Sequence, residues 1–180
     1  MTEFLFPDNT VLCNFATVGC LDPLISVLRG RGRWTEAVAY EARRSAQVLP
    51  ALASLLASPE LAEPIEISAD ADIRQVERIR RAAFGGTDDQ PLRHLGEAQT
   101  CHVIEAWPDL AGSWWISDDR EAVRYARFRG ITTRETIDLV AMAVADGEIN
   151  SKDGYSLMSR MASAGRHLRL PASAADLAHY

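Results

Sequence analysis

An apolar run that ends in two adjacent carboxylates constrains this chain more than any other feature. The run covers residues 114–116, and Asp118 and Asp119 follow it after a single serine, Ser117. A helical pattern of apolar residues begins immediately afterwards, with Ala122 among its first members. This order is typical of the carboxyl end of a buried strand in an open α/β sheet, where such folds bind their ligands.

A second copy of the pattern lies at the amino terminus. Residues 4–7 are strand-like, Asp8 follows them, and residues 11–16 have the composition of a helix. If the two strands are parallel neighbours, their terminal carboxylates meet at one edge of the sheet. Carboxylates that lie close together repel each other, and a hard divalent cation relieves the repulsion. The sequence therefore predicts an acidic metal site on an α/β sheet.

Strand-like and helical segments alternate along the chain, which favours a parallel, doubly wound sheet. Strands are expected at residues 3–7, 31–34, 64–68, 114–117 and 130–133. Longer helices are expected at residues 9–18, 35–49, 70–84, 95–107, 119–129, 136–146 and 151–164. The arginines of the helix at 70–84 are expected on its outer face.

Length and composition indicate one cytoplasmic domain. The chain of 180 residues is predicted to be a single domain over 1–180, with a core at about 1–149 and a C-terminal helix and tail at 150–180. No apolar run reaches the roughly 18 residues that cross a bilayer, so no membrane association is expected. Three cysteines without metal-type spacing indicate reduced thiols, as in the cytoplasm.

The charge distribution leaves room for a charged partner. A net charge of −6 argues against a protein that coats nucleic acid by bulk electrostatics. The arginines are nevertheless clustered, and Arg31 and Arg33 alternate with glycines. These arginine clusters have two interpretations: they are part of an ordinary solvated surface, or they form a local basic patch that binds substrate.

Five acidic residues are candidates for the site. They are Asp8, Glu41, Glu97, Asp118 and Asp119. Taken singly, the aspartates are better explained as helix N-caps, and Glu41 as a solvated helix residue. The prediction of a site depends on their combination.

Four segments, in this order, resemble the PIN-domain nucleases, in particular a branch of predicted nucleic-acid-binding proteins related to type II toxin ribonucleases. Residues 6–12 are similar to the first strand of that family with its aspartate. Residues 34–41 are similar to the segment in which a strand leads into a helix with the second acid. Residues 95–98, with Gly96 before Glu97, and residues 116–130 complete a resemblance that covers nearly the whole chain.

The resemblance implies a three-layer α/β/α sandwich with a short parallel sheet of four to five strands flanked by helices. It implies a Mg²⁺- or Mn²⁺-dependent ribonuclease that hydrolyses RNA, and a toxin role in a toxin–antitoxin pair. Asp8, Glu97 and either Asp118 or Asp119 would bind the metal, and Glu41 would hold a metal-bound water or a nearby arginine. The implied partners are RNA and an antitoxin protein.

Further residues are expected to assist. The hydroxyls of Thr10 and Ser117 could position water or phosphate, although both also suit helix capping. Arg31 and Arg33 would bind substrate. A homodimer would form if Trp34, Trp107 or Phe128 contributed to an exposed apolar patch, and burial in the core is the alternative for each.

One position departs from the family pattern. The second acid of the helix motif, expected two residues after Glu97, is Gln99. A lost charge weakens metal affinity, so the alternative is a catalytically weak or inactive PIN-like module that binds RNA or a protein partner.

Other chemistries fit the sequence less well. It contains neither a Gly-x-Gly-x-x-Gly motif nor a phosphate-loop Gly-Lys-Ser/Thr motif, which argues against nucleotide cofactors. A haloacid-dehalogenase-like phosphatase would have an aspartate at Thr10, and Lys152 is the only candidate for the lysine of a response regulator. The histidines lack the spacing of a helical zinc site.

Overall fold

Three short parallel strands form the sheet in the computed structural model, which describes residues 3–178. In spatial order they are β1 (Leu5–Pro7), β2 (Trp114–Ile116) and β3 (Thr132–Arg134). Both pairs are parallel, with Leu5 opposite Trp114 and Trp115 opposite Thr133. The predicted α/β class with a parallel sheet is therefore confirmed.

Helices connect and surround the strands. They are α1 (Asn9–Thr17), α2 (Asp22–Leu28), α3 (Glu36–Ala46), α4 (Pro50–Leu56), α5 (Asp70–Phe84), α6 (Leu95–Ala106), α7 (Arg120–Phe128), α8 (Thr136–Ala145) and α9 (Ser151–Ser163). Short 3₁₀ helices occupy Pro108–Leu110 and Ala174–Ala178.

The predicted count of four to five strands is wrong, since residues 3–178 contain three. The segments at 31–34 and 64–68 run parallel to β1 but pair only through isolated bridges, such as Leu5 with Gly32. Gly32 explains part of this, because a Cβ atom there would lie 2.4 Å from the carbonyl oxygen of Glu60. The chain passes too close to its neighbour at that point for a regular strand with side chains.

Helices cover both faces of the sheet. Leu5 and Ile116 point to one face and join a hydrophobic cluster with α1–α4, α8 and α9. Phe6 and Trp115 point to the other face and join a second cluster with α5, α6 and α7. The alternation of side chains along a strand produces this division, which is compatible with an α/β/α layout.

The carboxyl ends of β1 and β2 lie side by side. The backbone N–H of Asp8 donates to the carbonyl of Ile116 across 2.8 Å and extends the pairing beyond Pro7. Asp8 is the N-cap of α1, and Asp119 is the N-cap of α7. The two strand–carboxylate–helix patterns therefore meet at one edge, as the sequence predicts.

Arg80 is an exception to the predicted outer face of α5, because its side chain is 2% exposed. Its guanidinium pairs with Glu77 and donates to the carbonyls of Thr87, Gln90 and Arg93. Four residues of this helix and the following loop accept hydrogen bonds from the guanidinium and compensate for burial of its charge.

The candidates for an apolar dimer patch are divided. Trp34 is buried, Trp107 is half-buried and Phe128 is 82% exposed.

The C-terminal helix α9 contributes Met158 and Met161 to the first hydrophobic cluster. Within residues 3–178, no helix has the length and apolar character needed to span a membrane.

Candidate functional site

Asp8 is the centre of the site. Its side chain is buried, and Oδ2 accepts hydrogen bonds from Thr10 Oγ1 at 2.8 Å and Ser117 Oγ at 3.2 Å. Oδ1 accepts from the backbone N–H of Asn9 at 2.7 Å. Burial and the nearby charge of Glu97 raise the pKa of Asp8 to about 6, although the three hydrogen bonds oppose this shift.

Glu41 and Glu97 reach the same region from α3 and α6. Burial raises the pKa of Glu41 to about 8, and the charges of Asp8 and Glu97 add to the shift. Glu97 Oε1 lies 3.1 Å from His94 Nδ1. The structure therefore places Asp8, Glu41 and Glu97 in one region. Their order in the sequence suggested this proximity but did not establish it.

Gly96 permits this approach of α3 and α6. A Cβ atom at Gly96 would lie 3.1 Å from Cγ2 of Val38 and 3.4 Å from Oε1 of Glu41. The first distance is tighter than ordinary van der Waals contact, so a side chain here would push α3 and Glu41 away. The glycine immediately before Glu97 therefore allows α3 and α6 to pack closely.

Asp118 is held by three hydrogen bonds. Oδ2 accepts from Asn14 Nδ2 at 2.7 Å and from Thr136 Oγ1 at 2.5 Å, and Oδ1 accepts from the N–H of Thr136 at 3.0 Å. Burial raises the pKa of Asp118, and these hydrogen bonds oppose the shift. Its carboxylate ties the middle of α1 and the start of α8 to the end of β2.

Asp119 is exposed and caps α7. Its Oδ1 accepts from the N–H groups of Glu121 and Ala122 at 2.8 and 3.0 Å. Its own N–H donates to Ser117 Oγ at 3.2 Å. Ser117 therefore connects Asp119 to Asp8, while Asp118 faces Asn14.

The predicted substrate-binding residues lie in two different parts of the structure. Thr10 and Ser117 contact Asp8 directly. Arg33 lies at the opposite end of β1, where its guanidinium is 4.1 Å from the centre of the Phe4 ring. Arg31 donates to the carbonyl of Val27 at 3.2 Å. The structure does not bring these two arginines to the acids.

Gln99, the departure from the family pattern, caps α3. Its Oε1 accepts from the N–H of Ala37 and its Nε2 donates to Glu36 Oε1, each at 3.1 Å. Thr35 occupies the predicted N-cap position, but its hydroxyl is buried with no hydrogen-bond partner among residues 3–178. The amide of Gln99 supplies the cap that Thr35 does not.

Sequence reasoning missed the polar residues around Asp118. Arg166 Nε donates to Asn14 Oδ1 at 2.8 Å, and the Asn14 amide in turn donates to Asp118 and Thr136. The sequence does contain one indication of this cluster, because Asn14 is a polar residue between the apolar residues of α1. No local signal connects Arg166, which follows α9, to this site.

A cleft of about 820 Å³ opens beside Glu41. Its walls come from α3, with Tyr40, Arg43 and Arg44, and from the segment at 90–95. Sequence reasoning did not single out this cleft, because its two walls are about 50 residues apart in the chain.

Three comparisons with known proteins give no relative: no family model matches the chain, and neither a curated protein nor a solved structure shows significant similarity to it.

The donor set suits a hard cation by its chemistry. Asp8, Glu41 and Glu97 offer carboxylate oxygens, the ligands that Mg²⁺ and Mn²⁺ prefer. Burial and mutual repulsion disfavour their ionised forms, and a bound cation would reverse that preference. Among residues 3–178, no three acidic, histidine or cysteine side chains stand close enough to hold a metal as they are placed. Metal binding would therefore require side-chain movement.

Proposed function

We propose that this protein is a metal-dependent ribonuclease of the PIN-domain type, with a toxin role in a toxin–antitoxin pair. The observation that carries the proposal is that Asp8 follows β1 while Glu41 and Glu97 come near it from α3 and α6, which pack closely at Gly96. The raised pKa values of Asp8 and Glu41 agree with this placement. The location supports it, since ligands of α/β folds bind at the carboxyl ends of strands.

Each residue has a role in this proposal. Asp8 and Glu97 would hold Mg²⁺ or Mn²⁺, and Asp118 or Asp119 would complete the set after turning from its present hydrogen bonds. The cation, when bound, supplies a water of lowered pKa and stabilises negative charge on the phosphate. Thr10 and Ser117 fix the Asp8 carboxylate through their hydroxyls.

Glu41 is suited to proton exchange. In the metal-free protein the Glu41 carboxyl, with a pKa of about 8, holds its proton near neutral pH, and a cation bound nearby would lower this pKa and favour release of the proton. The Arg44 charge lowers the pKa of Glu41 and opposes the effect of burial. In the proposed reaction Glu41 would act as a general acid or base beside the metal.

The alternative is a PIN-like module that binds RNA or a protein partner without cleavage. Gln99 supports it, because an amide replaces the second acid of the helix motif and both its polar atoms are engaged at α3. Fewer charges at the site mean weaker binding of a divalent cation.

Calorimetric titration with Mn²⁺ tests the proposal. We expect binding to the wild type that collapses in Asp8→Asn and in Glu97→Gln, with no change in Glu148→Gln, an exposed glutamate beyond α8. The same variants should lose cleavage of a fluorescently labelled RNA in Mn²⁺. Undisturbed binding in both site variants, with the fold intact by circular dichroism, would contradict the metal site.

The toxin role has its own test. Expression in a bacterial host should arrest growth, and the Asp8→Asn variant should not. Equal growth inhibition by both proteins would count against a toxin that acts through this site.

A further inference from the structure

The cleft has Glu41 in its lining but none of the other acids of the proposed metal site, and its remaining surfaces differ from those of the acidic centre. Tyr40 on α3 is 45% exposed, and Leu92 on the opposite wall is 50% exposed. Its volume of about 820 Å³ falls within the range of roughly 300–1,000 Å³ that is typical of small-ligand sites. The cleft therefore offers an aromatic ring and an aliphatic wall to a flat group.

The charge of the cleft is mainly positive although the protein is acidic. Arg43, Arg44 and Arg93 line it, against two glutamates, Glu36 and Glu41. Neither Arg43 nor Arg44 forms an ion pair with any residue of the range 3–178, and both are exposed. The Arg44 guanidinium lies 5.9 Å from the centre of the Tyr40 ring. These cations are available to a phosphate.

One face of α3 carries three kinds of group in order. Residues spaced by three or four positions lie on the same side of a helix, so Glu36, Tyr40 and Arg43 with Arg44 follow one another along the cleft. Glu36 is oriented by the bond that it accepts from Gln99. The order is a carboxylate, an aromatic ring and then guanidinium groups.

The wall opposite α3 is held in place by Arg80. This buried guanidinium donates to the carbonyls of Thr87, Gln90 and Arg93, at 3.2, 3.2 and 3.4 Å. The loop that contributes Leu92 is thus fixed to α5, which orders this wall of the cleft. A preformed site loses less ordering entropy when it binds.

We propose that this cleft binds one nucleotide of the RNA next to the phosphodiester that is cut. The base stacks on Tyr40, its phosphate contacts Arg43 and Arg44, and Glu36 accepts a hydrogen bond from an amino group of the base. Stacking on an aromatic ring and phosphate–guanidinium contacts are the usual means of binding a single strand. Glu36 favours cytosine over uracil, because a carboxylate accepts from the cytosine amino group. The inference rests on the ribonuclease proposal and adds a base-recognition site to it.

Fluorescence anisotropy without metal tests the cleft separately from catalysis. Labelled hexacytidylate and hexauridylate would be titrated with protein in EDTA. We expect Tyr40→Ala to weaken binding of hexacytidylate roughly 5- to 150-fold, the range seen when a stacking aromatic residue is removed. Phe128→Ala, which removes an aromatic residue 82% exposed on α7, should leave binding unchanged.

Two further variants separate the phosphate and base contacts. The double variant Arg43→Gln, Arg44→Gln should weaken both oligonucleotides alike and make binding less dependent on salt. Arg78→Gln, an exposed arginine on α5, is its control. Glu36→Gln should reduce the preference for hexacytidylate and leave binding of hexauridylate nearly unchanged.

The outcomes are distinct from those of the metal test. No binding of either oligonucleotide, or equal binding by Tyr40→Ala and Phe128→Ala, would overturn the cleft proposal. If these results accompanied cleavage in Mn²⁺, the ribonuclease would stand without this cleft. Cleft-dependent binding in EDTA without cleavage in Mn²⁺ would support the nucleotide site and reject the catalytic proposal.

Discussion

The Asn14 side-chain amide donates a hydrogen bond of 2.7 Å to Asp118 Oδ2, although the two residues are 104 positions apart in the chain. Asn14 lies in the middle of α1 and Asp118 follows β2. The bond orients the Asp118 carboxylate and keeps it separate from Asp8, whose oxygens accept from Thr10 and Ser117. The acidic edge therefore has two parts, each with its own hydrogen-bond donors.

Replacing Asn14 by Asp should destabilise the protein at neutral pH. The variant loses the donor and places a second carboxylate against Asp118, whose pKa is already raised by burial. We expect a loss of about 1–3 kcal/mol in the free energy of unfolding, measured by urea denaturation. The loss should become smaller as the pH is lowered, because protonation relieves the repulsion between the two carboxylates. Asn14→Ala loses the same donor without adding charge, so an equal pH dependence in both variants would contradict this explanation.

Glu41→Gln should stabilise the metal-free protein in a pH-dependent way. The pKa of Glu41 is about 8 in the folded protein, against an ordinary value of 4.5. Between these values the folded state retains a proton that the unfolded state releases, so stability falls as the pH rises. Glutamine does not ionise, so the variant avoids this loss of stability. Each unit of pKa difference between the folded and unfolded states corresponds to about 1.4 kcal/mol.

Because Glu41 is partly solvated, we expect a gain of roughly 1–2 kcal/mol at pH 8.5 and almost none at pH 4.5. Thermal unfolding followed by circular dichroism at both pH values measures it. Glu148→Gln provides the control for the loss of one negative charge. A gain of the same size at pH 4.5 would show that burial of the charge is not the cause.

Mn²⁺ affinity should increase with pH. The cation binds ionised carboxylates, and the pKa values of Asp8 and Glu41 are about 6 and 8. Binding must therefore displace protons, and affinity should rise between pH 6 and pH 8.5. Calorimetry in two buffers of different ionisation enthalpy measures the number of protons released. Binding at pH 6.5 with no proton release would place the cation elsewhere.

Gln99→Glu, which restores the acid of the family pattern, should not improve metal binding. The side chain is buried and held at the N-terminus of α3 by Ala37 and Glu36. A glutamate keeps the acceptor for Ala37 but repels Glu36, and we expect a loss of about 1–2 kcal/mol of stability. Mn²⁺ affinity would be measured by titration of this variant and of Gln99→Ala. Tighter binding in Gln99→Glu alone would place residue 99 in the metal site and contradict this prediction.

Arg80→Met should loosen the wall of the cleft. The substitution leaves carbonyls of the loop at 87–93 without their donor and removes one of the two arginine partners of Glu77. We expect about 2–4 kcal/mol of destabilisation and faster amide hydrogen exchange over residues 86–94. Arg78→Met, exposed on the same helix, should change neither quantity. Unchanged exchange in Arg80→Met would mean that other contacts hold the loop.

Residues that follow a strand and begin a helix could be placed from local order alone. Asp8 and Asp119 are N-caps, as the strand–carboxylate–helix pattern predicts. The helix bounds also follow local signals, such as Pro50 at the start of α4. The predicted strands at 31–34 and 64–68 were wrong, because whether an extended segment forms a ladder depends on how closely its neighbour approaches.

The sequence by itself determined the alternation of strands and helices and placed acids at the ends of two strands. Only the tertiary structure decided which acids meet, since Asp118 turns to Asn14 while Asp8, Glu41 and Glu97 share one region. It also decided the burial of Arg80 and the position of Gln99 at α3. Local propensity depends on residues a few positions apart, whereas burial and charge repulsion depend on groups that only the folded chain brings together.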